Sequence, residues 1–140
     1  MEIVEQGIAE MKQKLMALLN SEFRDFKINY DDLKKARGIY AIYEGDEIIY
    51  IGKSKNIQDR LYNHLLRLGG NHDLSKEKLN GYKGLDTKEE NINFLLNNCR
   101  FKIIKEIYIN RLEQFAISVI NPQFNREHIR KRKVKINSFP

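Results

Sequence analysis

The sequence predicts a small α/β (α+β) domain: a three-stranded, mostly antiparallel sheet flanked by helices, in the order β-β-α-α-β-α. Three observations carry this expectation. Two short apolar, β-favouring runs, at about 38–43 and 47–52, flank Glu44-Gly45-Asp46-Glu47 and read as a hairpin. Later segments switch to apolar residues three and four apart, the spacing of a helix face. One more β-like run, Arg100 to Ile107, lies between two of those helices, so the helices must pack on one sheet.

Each element has its own signal. Val4, Ile8, Met11, Leu15 and Leu18 form one apolar stripe on a helix over residues 2–19. The stripe suits packing on the domain or a homodimer surface. Residues 20–30 are polar and aromatic without a period. Asp31-Asp32 before Leu33 suggest a capped single helical turn. After the hairpin, a helix over about 56–68 buries Ile57, Leu61, Leu65 and Leu68, and Gly69-Gly70 stop it. Residues 71–86 read as an irregular loop or insertion. Asp86-Thr87 open a helix that runs to about Asn98. Asn110 caps a last helix carrying Leu112, Phe115, Ala116, Val119 and Ile120, which Asn121-Pro122 end.

Size and composition narrow the function classes. One domain is the expectation for 140 residues. No apolar stretch approaches the roughly 20 residues of a membrane span. The N-terminus lacks the basic-then-apolar layout of a secretory signal. Cys99 is the single cysteine, which excludes a disulfide framework and reads as a core thiol. A cytoplasmic protein is expected. The net charge is +6. Residues 126–140 set Arg126, Arg130, Lys131, Arg132, Lys133 and Lys135 against Glu127, a net of +5. The body is therefore almost neutral and the C-terminus is a basic arm, suited to nucleic acid or to solubility alone. The expected division is a helical extension at 1–35, a central domain at 36–126 and a basic tail at 127–140.

Several residues could carry chemistry. Along the strands, Gly38, Tyr40 and Ile42 share one face, and Ile48, Tyr50 and Gly52 share one face. A two-residue turn at Gly45-Asp46 would send the tyrosines to opposite faces, so a paired tyrosine site predicts a three-residue or bulged loop. Taken alone, strand tyrosines also serve as core or cross-strand packing. Arg60 and His64 lie one helical turn apart on one face. An arginine can hold phosphate oxygens with a forked pair of donors, and a histidine can shuttle a proton near neutrality. Glu113 suits Mg²⁺ or Mn²⁺, which prefer oxygen ligands. Its spacing from Asn110 also fits a capping box. Gly52-Lys53-Ser54 is not a P-loop, because Glu47 stands where that motif needs glycine. His72 and His128 have no partner at ligand spacing and read as surface residues.

Gly38-Ile39-Tyr40, then Tyr50-Ile51-Gly52-Lys53-Ser54, then Arg60, His64, Glu113 and Asn125, closely resemble the GIY-YIG nuclease superfamily in order and spacing. The resemblance spans roughly residues 36–126. It implies a metal-dependent endonuclease that hydrolyses phosphodiesters, with Mg²⁺ or Mn²⁺ as cofactor and DNA as partner. It also implies roles. Tyr40 would be the general base on the attacking water, His64 would take the tyrosine proton, and Lys53 would favour the phenolate. Tyr50 would orient the water or a phosphate oxygen, and Arg60 would neutralise charge in the transition state. Glu113 would hold one divalent ion, and Asn125 would fix backbone or substrate. Lys53, Lys55, Arg126, Arg130, Lys131, Arg132 and Lys133 are the candidate nucleic-acid contacts. A catalytically inactive binding module of the same fold, or a single-strand or RNA nuclease, are the alternatives.

Overall fold

The structure, a computed structural model, describes residues 2–28 and 30–126, with side chains from residue 7 onward. The basic tail at 127–140 and the Val4 side chain lie outside the described residues. Four antiparallel strands form the sheet, in the order β1-β4-β2-β3: β1 (Arg24–Asp25), β2 (Gly38–Glu44), β3 (Glu47–Ser54) and β4 (Cys99–Lys105). The expected three strands become four because two residues from the aperiodic stretch, Arg24 and Asp25, pair with Phe101 and Arg100 at the edge. A two-residue strand has no room to show alternation, so its pattern is silent.

The hairpin turn has two residues, since Glu44 pairs with Glu47, and Gly45 takes a left-handed φ of 61° in it. The expected three-residue or bulged loop is absent. The odd residue sits in the strand instead, where the register shifts between Ile42↔Tyr50 and Tyr43↔Ile48 and leaves Ile49 over. This bulge brings Tyr40 and Tyr50 to the same face, placed diagonally, with Tyr40 opposite Gly52 and Tyr50 opposite Ile42. It also moves Ile48 off the face of Tyr50: Ile48 packs with Tyr43 and Ile51 on the other side.

Helices cover both faces. On the first face lies α2, which begins as an α-turn (Ile57–Asp59) and continues as a π-helix (Arg60–Leu65). Beside it are α3 (Lys88–Asn98) and the turns of residues 71–85. Ile57, Leu61, Leu65, Leu74, Leu79, Phe94 and Leu95 pack there against Tyr40, Ile42, Ile49 and Phe101. On the second face, α1 (Glu2–Leu19) and α4 (Ile109–Ile120) place Leu15, Leu18, Ile109, Leu112 and Ala116 against Ile39, Ala41 and Ile51. Each such fully buried leucine contributes about 1.5–3 kcal/mol of transfer free energy.

Of the α1 stripe, which suited packing on the domain or a homodimer surface, Leu15 and Leu18 pack into the chain's own core, while Ile8 stays exposed. Leu68, expected inside, is exposed, because the π-helix ends at Leu65 and turns it outward. Residues 71–86 are not an irregular loop: Leu74–Lys78 and Tyr82–Gly84 form helical turns that bury Leu74, Ser75 and Leu79. Among the described residues, no helix is long and apolar enough to cross a membrane.

Candidate active site

The sheet end bearing Tyr40, Tyr50 and Gly52 is roofed by α2 and the turn that follows it. Tyr40 is 1% exposed and lies over Gly52. A Cβ built at Gly52 would penetrate the Tyr40 ring and its hydroxyl, so only glycine lets the phenol sit there. Tyr50 lies diagonally beside it with ring centroids 6.3 Å apart.

Arg60 and His64 both point at one acceptor. Asn71 Oδ1 receives the Arg60 Nη1–H at 3.4 Å and lies 2.8 Å from His64 Nδ1. His64 Nε2 lies 3.3 Å from Asp59 Oδ2. Both His64 nitrogens are thus engaged away from Tyr40. The imidazole against Tyr40 is that of His72, whose Nε2 is 2.7 Å from the phenol oxygen. His72 is 0% exposed, not a surface residue as its isolation in the sequence suggested. The Leu74 backbone N–H donates to its Nδ1 at 3.1 Å, and its ring meets Tyr50 edge-on at 5.3 Å. No local pattern marked His72. Its eight-residue distance from His64 gains meaning only when the chain turns back, with the His72 N–H donating to the His64 carbonyl.

On α4, Asn110 and Glu113 do not form the capping box that their spacing allowed; the N-cap is Tyr108, with no side-chain cap bond. Both instead face Lys53 from the edge strand β3. Lys53 Nζ donates to Asn110 Oδ1 at 2.6 Å and lies 3.7 Å from Glu113 Oε1. Lys53 is therefore held at the carboxylate. Asn125, just past α4, brackets the edge of β3. Its Oδ1 accepts from the Ile51 N–H and its Nδ2 donates to the Ile51 carbonyl, both at 2.8 Å. That pair fixes backbone and leaves the Asn125 amide committed. Lys55 is exposed beside the site, and Arg126 is half-buried.

The electrostatics join these groups. Burial raises the Tyr40 pKa well above that of a free phenol. The neighbouring Tyr50 and Glu113 push the same way, while the charge and hydrogen bonding of Arg60 oppose them. Burial, then Glu113, push Tyr50 up to about 12, against Arg60. Burial lowers His72 to about 3, helped by the positive charges of Arg60, Lys78 and His64. Glu113 is raised by burial, against the pull of Lys53. Two phenols, one guanidinium and one carboxylate from four elements thus act on one another. Cys99, raised to about 12 by burial, is a core thiol.

A divalent ion fits Glu113 in one way. No cluster of three or more His, Cys, Asp or Glu able to hold a metal exists among the described residues. Mg²⁺ commonly binds through one or two carboxylates plus substrate phosphate oxygens and waters. Glu113 is such a carboxylate: its side chain is 18% exposed, and its salt-bridge partner Lys53 is loose at 3.7 Å.

Residues 36–94 match the family model for the GIY-YIG catalytic domain. No curated protein and no solved structure matches the chain.

Proposed function

We propose that the chain, whose residues 36–94 match the family model for the GIY-YIG catalytic domain, is a GIY-YIG nuclease: a divalent-metal-dependent endonuclease that hydrolyses DNA phosphodiesters. The observation that carries this reading is the tyrosine pair brought to one sheet face, Tyr40 and Tyr50 with ring centroids 6.3 Å apart. Arg60 and Glu113, 53 residues apart in the sequence, act on the same two phenols.

The residues divide the work by exposure. Arg60 offers a forked donor pair to non-bridging phosphate oxygens and offsets the charge that grows on them. Glu113 would hold the divalent ion, while Lys53 keeps its bond to Asn110. When bound, such an ion would supply Lewis-acid charge for phosphodiester hydrolysis. Tyr50 orients the water. Tyr40 in its phenolate form takes the water proton as the water oxygen bonds to phosphorus and the bond to the 3′ oxygen breaks. A phenol buried this deeply ionises only with help, and the positive charge of Arg60 provides it. Lys53, Lys55 and the basic C-terminal residues Arg126, Arg130, Lys131, Arg132 and Lys133 add attraction to the backbone that is independent of sequence.

The test is incubation with end-labelled single- and double-stranded DNA and RNA, in Mg²⁺ or EDTA, with mapping of the ends. Cleavage of duplex DNA that needs Mg²⁺ and leaves 3′ hydroxyl ends supports the reading. Binding without cleavage in Mg²⁺ and Mn²⁺ would make the chain a binding module, and cleavage confined to RNA would reassign the substrate.

A further inference from the structure

His72 lies between two fixed partners, and their chemistry settles its tautomer. A backbone N–H can only donate, so Nδ1, which faces the Leu74 N–H at 3.1 Å, must carry a bare lone pair. A neutral imidazole then holds its one proton on Nε2, which faces Tyr40 Oη at 2.7 Å. The opposite tautomer would set donor against donor in a site that is 0% exposed, where no water can relieve it. The turn locks the arrangement further, because the His72 carbonyl accepts the Lys76 N–H at 3.0 Å. Burial keeps the ring neutral, so this distribution holds through the working pH range.

We propose that His72 is a positioning residue that donates its Nε2–H to Tyr40 Oη and so favours the phenolate, the phenol's own proton passing to solvent water before the hydrolytic step. The inference rests on Tyr40 acting as proton acceptor. It also excludes His72 as the base: its only lone pair points at Leu74, and the ring neither gives nor takes a proton in the reaction. Tyr40 Oη thus meets the His72 donor and feels the positive charge of Arg60, both of which favour an oxyanion.

The experiment combines nitrogen NMR of the ¹⁵N-histidine-labelled full chain with cleavage kinetics on duplex DNA in Mg²⁺. Wild-type His72, assigned by the signals lost in His72→Gln, should show a bare Nδ1 and a protonated Nε2 at neutral pH. His72→Phe should lower kcat about a hundredfold with little change in KM, and His72→Gln, whose amide restores a donor near Nε2, should recover to within about tenfold of wild type. A protonated Nδ1 would overturn the proposal, and so would His72→Gln as slow as His72→Phe, since an amide cannot accept a proton. The wild-type spectrum decides the tautomer even if His72→Phe fails to fold. The expected tautomer together with normal cleavage by Tyr40→Phe would overturn the general-base reading, and the positioning role with it.

Discussion

The site joins two regions of opposite character. Under the roof of α2, Tyr40 and His72 are 1% and 0% exposed, uncharged, and bonded to each other. At the edge of β3, Lys53, Asn110 and Glu113 form a charged group, with the Lys53 and Glu113 side chains 40% and 18% exposed. The first region cannot exchange partners without opening the core. The second is held by a long ion pair that an incoming cation or phosphate can part. On the proposed function, the difference teaches how one small domain would separate two needs: a fixed donor geometry beneath, and replaceable charge at the rim for ion and substrate.

The sharpest way to break this comparison is Glu113→Gln. Losing the ion's carboxylate should slow Mg²⁺-dependent cleavage by about a thousandfold, roughly 4 kcal/mol. The same change should raise the melting temperature. Burial lifts the folded-state pKa of Glu113 above its ordinary value, so its charged form costs stability at neutral pH and the amide removes that cost. A calorimetric Tm lower than wild type at pH 7 would deny that the rim carboxylate is held against its preference.

Tyr40→Phe acts on the buried region and should lower kcat by about 10²–10³-fold with the fold intact. Unchanged kcat would leave Tyr40 a packing residue. His72 supplies an acid signature. Its folded pKa of about 3 lies below its unfolded value. The stability it contributes is complete above about pH 6.5 and is lost as pH falls toward 3. In His72→Gln, denaturant-derived stability should fall less steeply between about pH 6 and pH 4, by up to roughly 1.4 kcal/mol per pH unit. An identical slope would mean that the ring is not held neutral. The smallest effect is expected from Asn125→Ala. It strips both bonds from Ile51 at the edge of β3 and should cost about 1–3 kcal/mol of unfolding free energy. A loss of cleavage without loss of stability would assign Asn125 to the substrate instead.

The legible parts of the chain were those whose signal is local. The hairpin, α3 with its Thr87–Glu90 capping box, and α4 with its Asn121 left-handed end each carry their reason within a few residues. Tyr40, Tyr50, Arg60 and Glu113 were readable because order and spacing survive in one dimension. The extra residue that a paired tyrosine site requires was readable, but its place as a strand bulge at Ile49 was not. It arises from the competition between a tight Gly45-Asp46 turn and the burial of both tyrosines on one face, and no residue announces it. His72 was illegible for a related reason: its partners lie 32 residues back in a strand and two residues ahead in a π-helical turn. Asn110 misled because a capping spacing and a contact to Lys53 look alike in sequence. The pairing of Arg24-Asp25 with β4 depends on a strand about 75 residues away and leaves no periodic trace.

The claim beneath all of this is that the buried phenol and the rim carboxylate serve one reaction. The direct measurement is the Mg²⁺-dependent cleavage rate of Tyr40→Phe, Glu113→Gln and the double variant on the same duplex DNA. If both groups act in one step, each single variant is severely slowed and the double variant is no slower than the worse of them. A single variant that cuts at the wild-type rate, or losses that multiply in full in the double variant, would contradict it.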